Sequence, residues 1–216
     1  MDEFTTSRIF TNLLVATQWT IVLSLIAFLT GGIVGFLITL MRISPNKWLR
    51  GASWVYIEFF QGTPLLLQLF LAFFGLSVVF GVNLSPLQAA TLALTAFTSS
   101  FLADIWRGSI AAIPKGQWEA AEAIGFGYFK KLRLIVLPQA LKLSVAPTVG
   151  FAVQVIKGTS LASIIGFTEL SRAATQINNV TLQSLLVFSL AGLIYFCLCY
   201  PLSIWSQQLE QKLTYK

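Results

Sequence analysis

Five stretches of unbroken apolar sequence constrain this chain more than any other feature. They fall at about residues 12–41, 54–80, 86–112, 134–165 and 183–206. Each reaches the roughly 18–20 residues that carry a helix across a bilayer. Inside hydrocarbon every backbone polar group must find a partner within the protein, which leaves helices or closed barrels. Barrel strands alternate over about ten residues, and these runs do not alternate. The chain is 56% hydrophobic and only 10% charged, against about 25% charged in an ordinary soluble domain. A core built from 216 residues cannot hide that much apolar surface from water. The expectation is an all-α integral membrane protein, with residues 1–216 forming a single transmembrane domain. The first run is too long for a cleaved leader and begins with Asp2 and Glu3, so it reads as a span.

The charges sit between the runs. Arg42, Lys47 and Arg50 fall in the first connection, Lys115, Lys130, Lys131 and Arg133 in the third, and Lys212 and Lys216 in the tail. The other side offers Arg8 and Arg172, offset by Asp2, Glu3 and Glu169. The excess of Lys and Arg on one side predicts an outside N-terminus and a cytoplasmic C-terminus. The net charge of +6 is then cytoplasmic-face charge beside anionic headgroups, and no nucleic acid partner is needed to explain it. Cys197 and Cys199 point to different sides of a helix and read as apolar filler. There is no histidine, the commonest metal ligand and general base, and no metal site is expected.

The 113–133 connection is too polar to cross a membrane. Pro114 can open a helix because its missing N–H costs nothing in the first turn. Glu119 and Glu122 suit the positive end of the helix dipole, and Gly125 suits the stop. The pattern predicts a short helix, Lys115 to Ile124, outside the hydrocarbon. Ala120, Ala121 and Ala123 would let another protein approach closely; the plain alternative is a surface loop solvated by its charges.

Glu119-Ala120-Ala121, then Gly125, Ile135 and Leu137-Pro138 resemble the EAA loop of ABC importer membrane subunits. "GTPLLLQLF" (Gly62 to Phe70), "IPKGQWEAA" (Ile113 to Ala121), "LPQALK" (Leu137 to Lys142) and "TSLASIIG" (Thr159 to Gly166) are similar to the polar amino acid permease branch. The resemblance runs from about Leu13 to Leu213. It implies five transmembrane helices of the ABC importer (MetI-like) type with a cytoplasmic coupling helix, in a prokaryotic cytoplasmic membrane. It implies a pathway formed with a second copy or a homologous permease. Two separate ATP-binding cassette subunits and an extracellular solute-binding protein would complete the importer. Lys115, Gly116, Trp118, Glu119, Ala120, Ala121, Gly125 and Pro138 would carry ATPase coupling. The chain has no G-x-x-x-x-G-K-[ST] phosphate loop, so it is not expected to be an enzyme or to hold a cofactor; ATP and Mg would belong to the partner.

Ionisable groups inside a membrane are expensive and so are functional candidates. Glu58, Asp104 and Lys157 qualify. Glu58, Gln61 and Gln68 fall near one face, and Gly62, Thr63 and Pro64 loosen the helix between them. Interrupted helices of this kind build midplane solute sites; a packing kink with Gln68 bonding a neighbour is the alternative. Asp104 either contacts substrate or pairs with Arg107 one turn on. Lys157, Thr159 and Ser160 either line the pathway or bond within their own span. Gln88, Thr91, Thr95 and Thr98 form a second polar stripe that lines the outer pathway or joins helices, and Ser144 and Thr148 can back-bond their own helix.

The branch often has Arg before Gly-Thr-Pro, where this chain has Gln61, and Asp after the span-four Lys, where it has Gly158. Glu58 is thereby left without a cation, and a cationic substrate would supply one. The expected substrate is a basic amino acid, arginine first, with lysine and histidine behind it. An ion-driven secondary transporter is the main alternative, but such proteins use ten or more spans with inverted repeats. An intramembrane hydrolase would need a second membrane Asp or a base for a serine, and neither is evident.

Overall fold

The computed structural model describes residues 6–214. Among them every regular element is helical. Four helices are long and apolar enough to cross a membrane, and a bent pair, Lys47–Gly62 with Leu65–Phe80, meets the same test when taken together.

Helix α1, Thr6–Arg42, runs for 37 residues, about 55 Å at 1.5 Å per residue. One stripe is small and buried: Ala27, Gly31 and Gly35. It lies against α4, Pro86–Ala111. Small residues four apart let two backbones approach, the usual device where lipid removes the hydrophobic drive for helices to associate. The approach here is close. A Cβ on Gly31 would stand 2.6 Å from Cβ and Cγ2 of Thr98, and one on Gly35 would stand 3.0 Å from the Ser99 carbonyl oxygen. Thr98 Cβ is fixed to its backbone, so the helices would have to part. Gly31→Val is expected to cost about 1–3 kcal/mol as an overpacked contact, read as a lower thermal midpoint in detergent. Gly32 has no neighbour within 4 Å of such a Cβ, so Gly32→Val should leave the midpoint unchanged.

Helix α2, Lys47–Gly62, starts on Asn46, whose side chain accepts the Trp48 N–H at 2.9 Å. Helix α3, Leu65–Phe80, follows after a bend of 103°. The cause is local. Pro64 lacks an N–H and forbids the helical region to the residue before it, and Thr63 is accordingly extended at φ −107°, ψ 138°. The end of α2 then leaves carbonyls without helical donors. Gln68 Nε2 donates to two of them, Phe60 O at 2.8 Å and Thr63 O at 3.0 Å. The span expected at 54–80 is thus two arms starting at Lys47, joined at a capped corner.

Helix α4 opens with a capping box. The Ser85 hydroxyl accepts the Gln88 N–H, Gln88 Oε1 accepts the Ser85 N–H, and Pro86 takes the first turn. Gln88 therefore caps a helix. Helix α5, Lys115–Ala123, lies between α4 and α6, Tyr128–Ser163. Near its start α6 contains a wider π turn, Leu132–Val136, which reroutes the hydrogen-bond ladder just before Pro138. Thr148 does not bond its own helix; its hydroxyl accepts Trp106 Nε1–H from α4 at 3.0 Å. Ser144 does bond back, to Leu141 O at 2.9 Å.

Helix α7, Leu170–Thr181, falls between the fourth and fifth apolar runs, in sequence to which no element was assigned. Helix α8, Ser184–Thr214, closes the chain. Two main cores result. One gathers Leu23, Leu65, Leu69, Leu94, Leu102 and Phe151. The other gathers the start of α1 (Ile9, Leu13) with Ala174 and Ile177 of α7 and Val187 and Ile194 of α8. A smaller cluster of Ile110, Ile113, Leu132, Val136 and Ala140 seats the basic end.

Candidate functional site

The corner between α2 and α3 gathers several of the predicted polar residues. Gln61 Nε2 donates to Ser100 O of α4 at 3.1 Å. The Thr63 hydroxyl donates to Phe59 O at 2.8 Å and accepts from Gln68 at 3.0 Å. Gly62 has open space on its Cβ side. Gln68 is buried, and its Oε1 has no partner among the described residues. A cavity of about 400 Å³ lies in the crook, lined by Phe60, Thr63, Gln68, Leu92 and Ala96 among others. Most of its wall is apolar. Glu58, one turn before the corner, is exposed and has no hydrogen bond or ion pair to another described residue.

The end of α6 comes to the same place. A Cβ on Gly158 would lie 3.1 Å from Leu65 and 3.6 Å from Leu94. Lys157, one position earlier, is exposed and its charge lies near Cys199 of α8. Thr159 and Ser160 bond back into their own helix, to Ile156 O at 2.7 Å and Lys157 O at 2.6 Å. Asp104 takes the pairing alternative. Its Oδ1 accepts both Nε and Nη2 of Arg107, at 2.9 and 2.7 Å.

The second candidate region is α5. Two backbone bonds finish it, Gly125 N–H to Glu122 O at 2.8 Å and Phe126 N–H to Ala121 O at 3.1 Å. That is a Schellman ending, and it requires the φ of +80° seen at Gly125. The back of the helix is anchored. Ala121 is buried, Trp118 packs on the Ile113 cluster and stacks with Tyr128, and the Tyr128 hydroxyl donates to Ile43 O at 2.7 Å. Lys131 bonds Glu122 at 2.9 Å and holds that exposed carboxyl below its usual value. Lys115, Gly116, Glu119 and Ala120 remain exposed, as does Pro138 just after the π turn of α6.

One residue that sequence reasoning counted as an external surface charge is fully buried. Glu169 is 0% exposed. Its Oε2 accepts the Tyr195 hydroxyl at 2.7 Å, the Ser171 N–H at 2.9 Å and the Thr20 hydroxyl at 3.4 Å, and its Oε1 accepts the Arg172 N–H at 3.0 Å. Thr20 in turn accepts the Leu170 N–H at 3.1 Å. Glu169 caps α7 and joins it to α1 and α8. Burial pushes its carboxyl up, and the four hydrogen bonds pull it back without cancelling the effect. An acid directly ahead of an apolar i, i+3, i+4, i+7 pattern was the available signal.

A family model for the binding-protein-dependent transport system inner membrane component matches residues 27–215. The chain belongs to this family. Among relatives of this inner membrane component, the L-cystine transport system permease protein of Bacillus subtilis is 38% identical over 196 residues, covering 90% of this chain and 83% of its own. The histidine/lysine/arginine/ornithine transport system permease protein of Salmonella typhimurium is 31% identical, covering 91% and 86%. A crystal structure of an amino acid ABC transporter with histidines superposes with a TM-score of 0.89 at 31% identity, covering 94% of each chain. The protein is a multi-pass membrane component of a transport system.

Proposed function

We propose that this protein forms the translocation pathway of an ATP-driven amino acid importer and that its substrate is a basic amino acid. It works as a pair, with a second copy or a homologous permease. Two ATP-binding cassette subunits dock beneath the pair, and an extracellular solute-binding protein supplies the substrate. The N-terminus lies outside and the C-terminus in the cytoplasm, because the basic connections share the other face. An amino acid is favoured by the names of the relatives and of the superposed structure; a basic one is favoured by the histidine/lysine/arginine/ornithine permease, whereas the other relative is named for L-cystine.

The observation that carries the importer reading is α5: anchored on its back, finished by a glycine and open in front. ATP binding would close the ATPase pair and draw the two α5 helices together. The spans would then turn the site outward to receive substrate, and hydrolysis would turn it back. Glu119, Ala120 and Gly125 make the contact, supported by Lys115, Gly116, Trp118, Ala121 and Pro138. The substrate reading rests on Glu58, an acid left without a cation at a broken span. It attracts the substrate's positive charge, while backbone groups near Gly62 and Thr63 hold the carboxylate. Gln61 and Gln68 shape the corner, and Lys157, Thr159 and Ser160 form the facing wall. Asp104, held by Arg107, is a weaker contributor.

Copurification with the ATPase and measurement of ATP hydrolysis with and without amino acids tests the importer reading; failure to bind any ATPase defeats it. Radiolabelled arginine binding to the detergent-solubilised complex tests the site. Glu58→Gln is expected to weaken binding by on the order of tenfold or more, the scale of a desolvated charge contact. An unchanged affinity removes Glu58 from the site.

A further inference from the structure

Helix α2 is turned so that Ser53 and Ile57 are buried against the bundle. Residues on the adjoining face then point outward. Gly51, Trp54 and Glu58 follow one another at spacings of three and four, so they share that outward face. Trp54 is 49% exposed. Its indole N–H makes no hydrogen bond, and its ring meets no aromatic partner, among the described residues. Four residues on, Glu58 is equally unpartnered. Side chains at this spacing are neighbours, with Cβ atoms about 5–6 Å apart. Gly51 carries no side chain and has nothing within 4 Å on its Cβ side, so the indole face stays open on the turn before.

An exposed indole next to a lone carboxylate has a definite chemical preference. The ring face attracts a cation through its quadrupole, tryptophan most strongly of the aromatic residues. The carboxylate attracts the same cation by charge. A guanidinium satisfies both at once, because it is flat enough to stack and presents a fork of donors to the carboxylate. We infer that Trp54 is a specificity-determining residue, forming with Glu58 a two-sided clamp for the cationic side chain of the substrate, guanidinium above all. The inference rests on the proposed substrate reading and adds a second wall to that site. It would let the membrane subunit itself favour a charged side chain, since the indole offers no comparable advantage to a neutral one.

The test compares arginine with citrulline, its neutral isostere, by equilibrium binding to the detergent-solubilised complex. Trp54→Leu is expected to weaken arginine binding on the order of tenfold while citrulline binding stays within about twofold. Trp54→Phe, which keeps a ring face, should retain most of the arginine affinity. Unchanged arginine affinity in Trp54→Leu overturns the clamp. So does an equal loss for both ligands, which would mark Trp54 as a packing or membrane-interface residue. The underlying reading fails separately: if the unaltered complex binds no arginine, or Glu58→Gln changes nothing, the fault lies with the site and not with its aromatic wall.

Discussion

Glu169→Ala is expected to destabilise the protein by about 3–5 kcal/mol, the scale for removing one partner from a buried charged network. The Tyr195 hydroxyl and the Ser171 and Arg172 N–H groups would all lose their acceptor at once. Helix α7 would lose its cap as well, itself worth about 0.5–2 kcal/mol. In a chain of this length that corresponds to a fall of roughly 10 °C in the thermal midpoint, measured in detergent. A midpoint unchanged to within a degree would mean that the cluster contributes nothing. Glu169→Gln keeps one acceptor oxygen and should fall between the two. It also removes a titration. Burial raises the folded carboxyl above its unfolded value, so the folded state holds the proton more tightly. Its contribution is fully present below the unfolded value of about 4.5 and is lost as pH rises through the folded value. Unaltered protein should therefore lose stability relative to Glu169→Gln as pH climbs from 4.5 upward.

Gly125→Val is expected to abolish most transport while the protein still inserts and folds. The backbone there sits at φ +80°, where a β-branched residue pays about 1–2 kcal/mol or more. Nothing lies within 4 Å of the added Cβ, so the damage is confined to the backbone that ends α5. Losing the Schellman ending moves the open face on which Glu119 and Ala120 sit. A strain of 1–2 kcal/mol corresponds to a factor of roughly five to thirty in a coupled equilibrium. Gly125→Asn, which tolerates this region, should keep most of the activity. The readout is substrate-stimulated ATP hydrolysis in reconstituted complex. If Val and Asn behave alike, the geometry of this ending does not matter for coupling.

Residues that act within a few positions of one another were legible before the fold was known. Pro114 and Gly125 bracket α5, and their chemistry is local. Asp104 and Arg107 are one turn apart, and their pairing was one of two readings. Pro64 announced an interruption, but not its size. The 103° bend lets Gln68 reach back to cap Phe60 and Thr63, a contact that exists only once the corner has formed. Gln88 was grouped with threonines at similar spacing, and its cap went unnoticed although Ser85 three residues earlier spells a capping box. Glu169 was misread for a different reason. Its partners Thr20 and Tyr195 lie 149 and 26 residues away, and no short-range pattern brings them together. Helix α7 was lost with it, because a polar twelve-residue stretch between two apolar runs passes for a connection when only hydropathy is weighed.

The division of the interior into two cores sets an order of assembly. During synthesis the N-terminal parts of a chain emerge and begin to fold first. Gly31 and Gly35 can meet Thr98 and Ser99 as soon as the fourth helix is made. The opening turns of the same first helix cannot settle so early. Ile9 and Leu13 pack against residues 170–194, which are made long after Thr98 and Ser99. One end of α1 is thus packed well before the other, and the growing protein carries an unfinished apolar flank until α7 and α8 arrive.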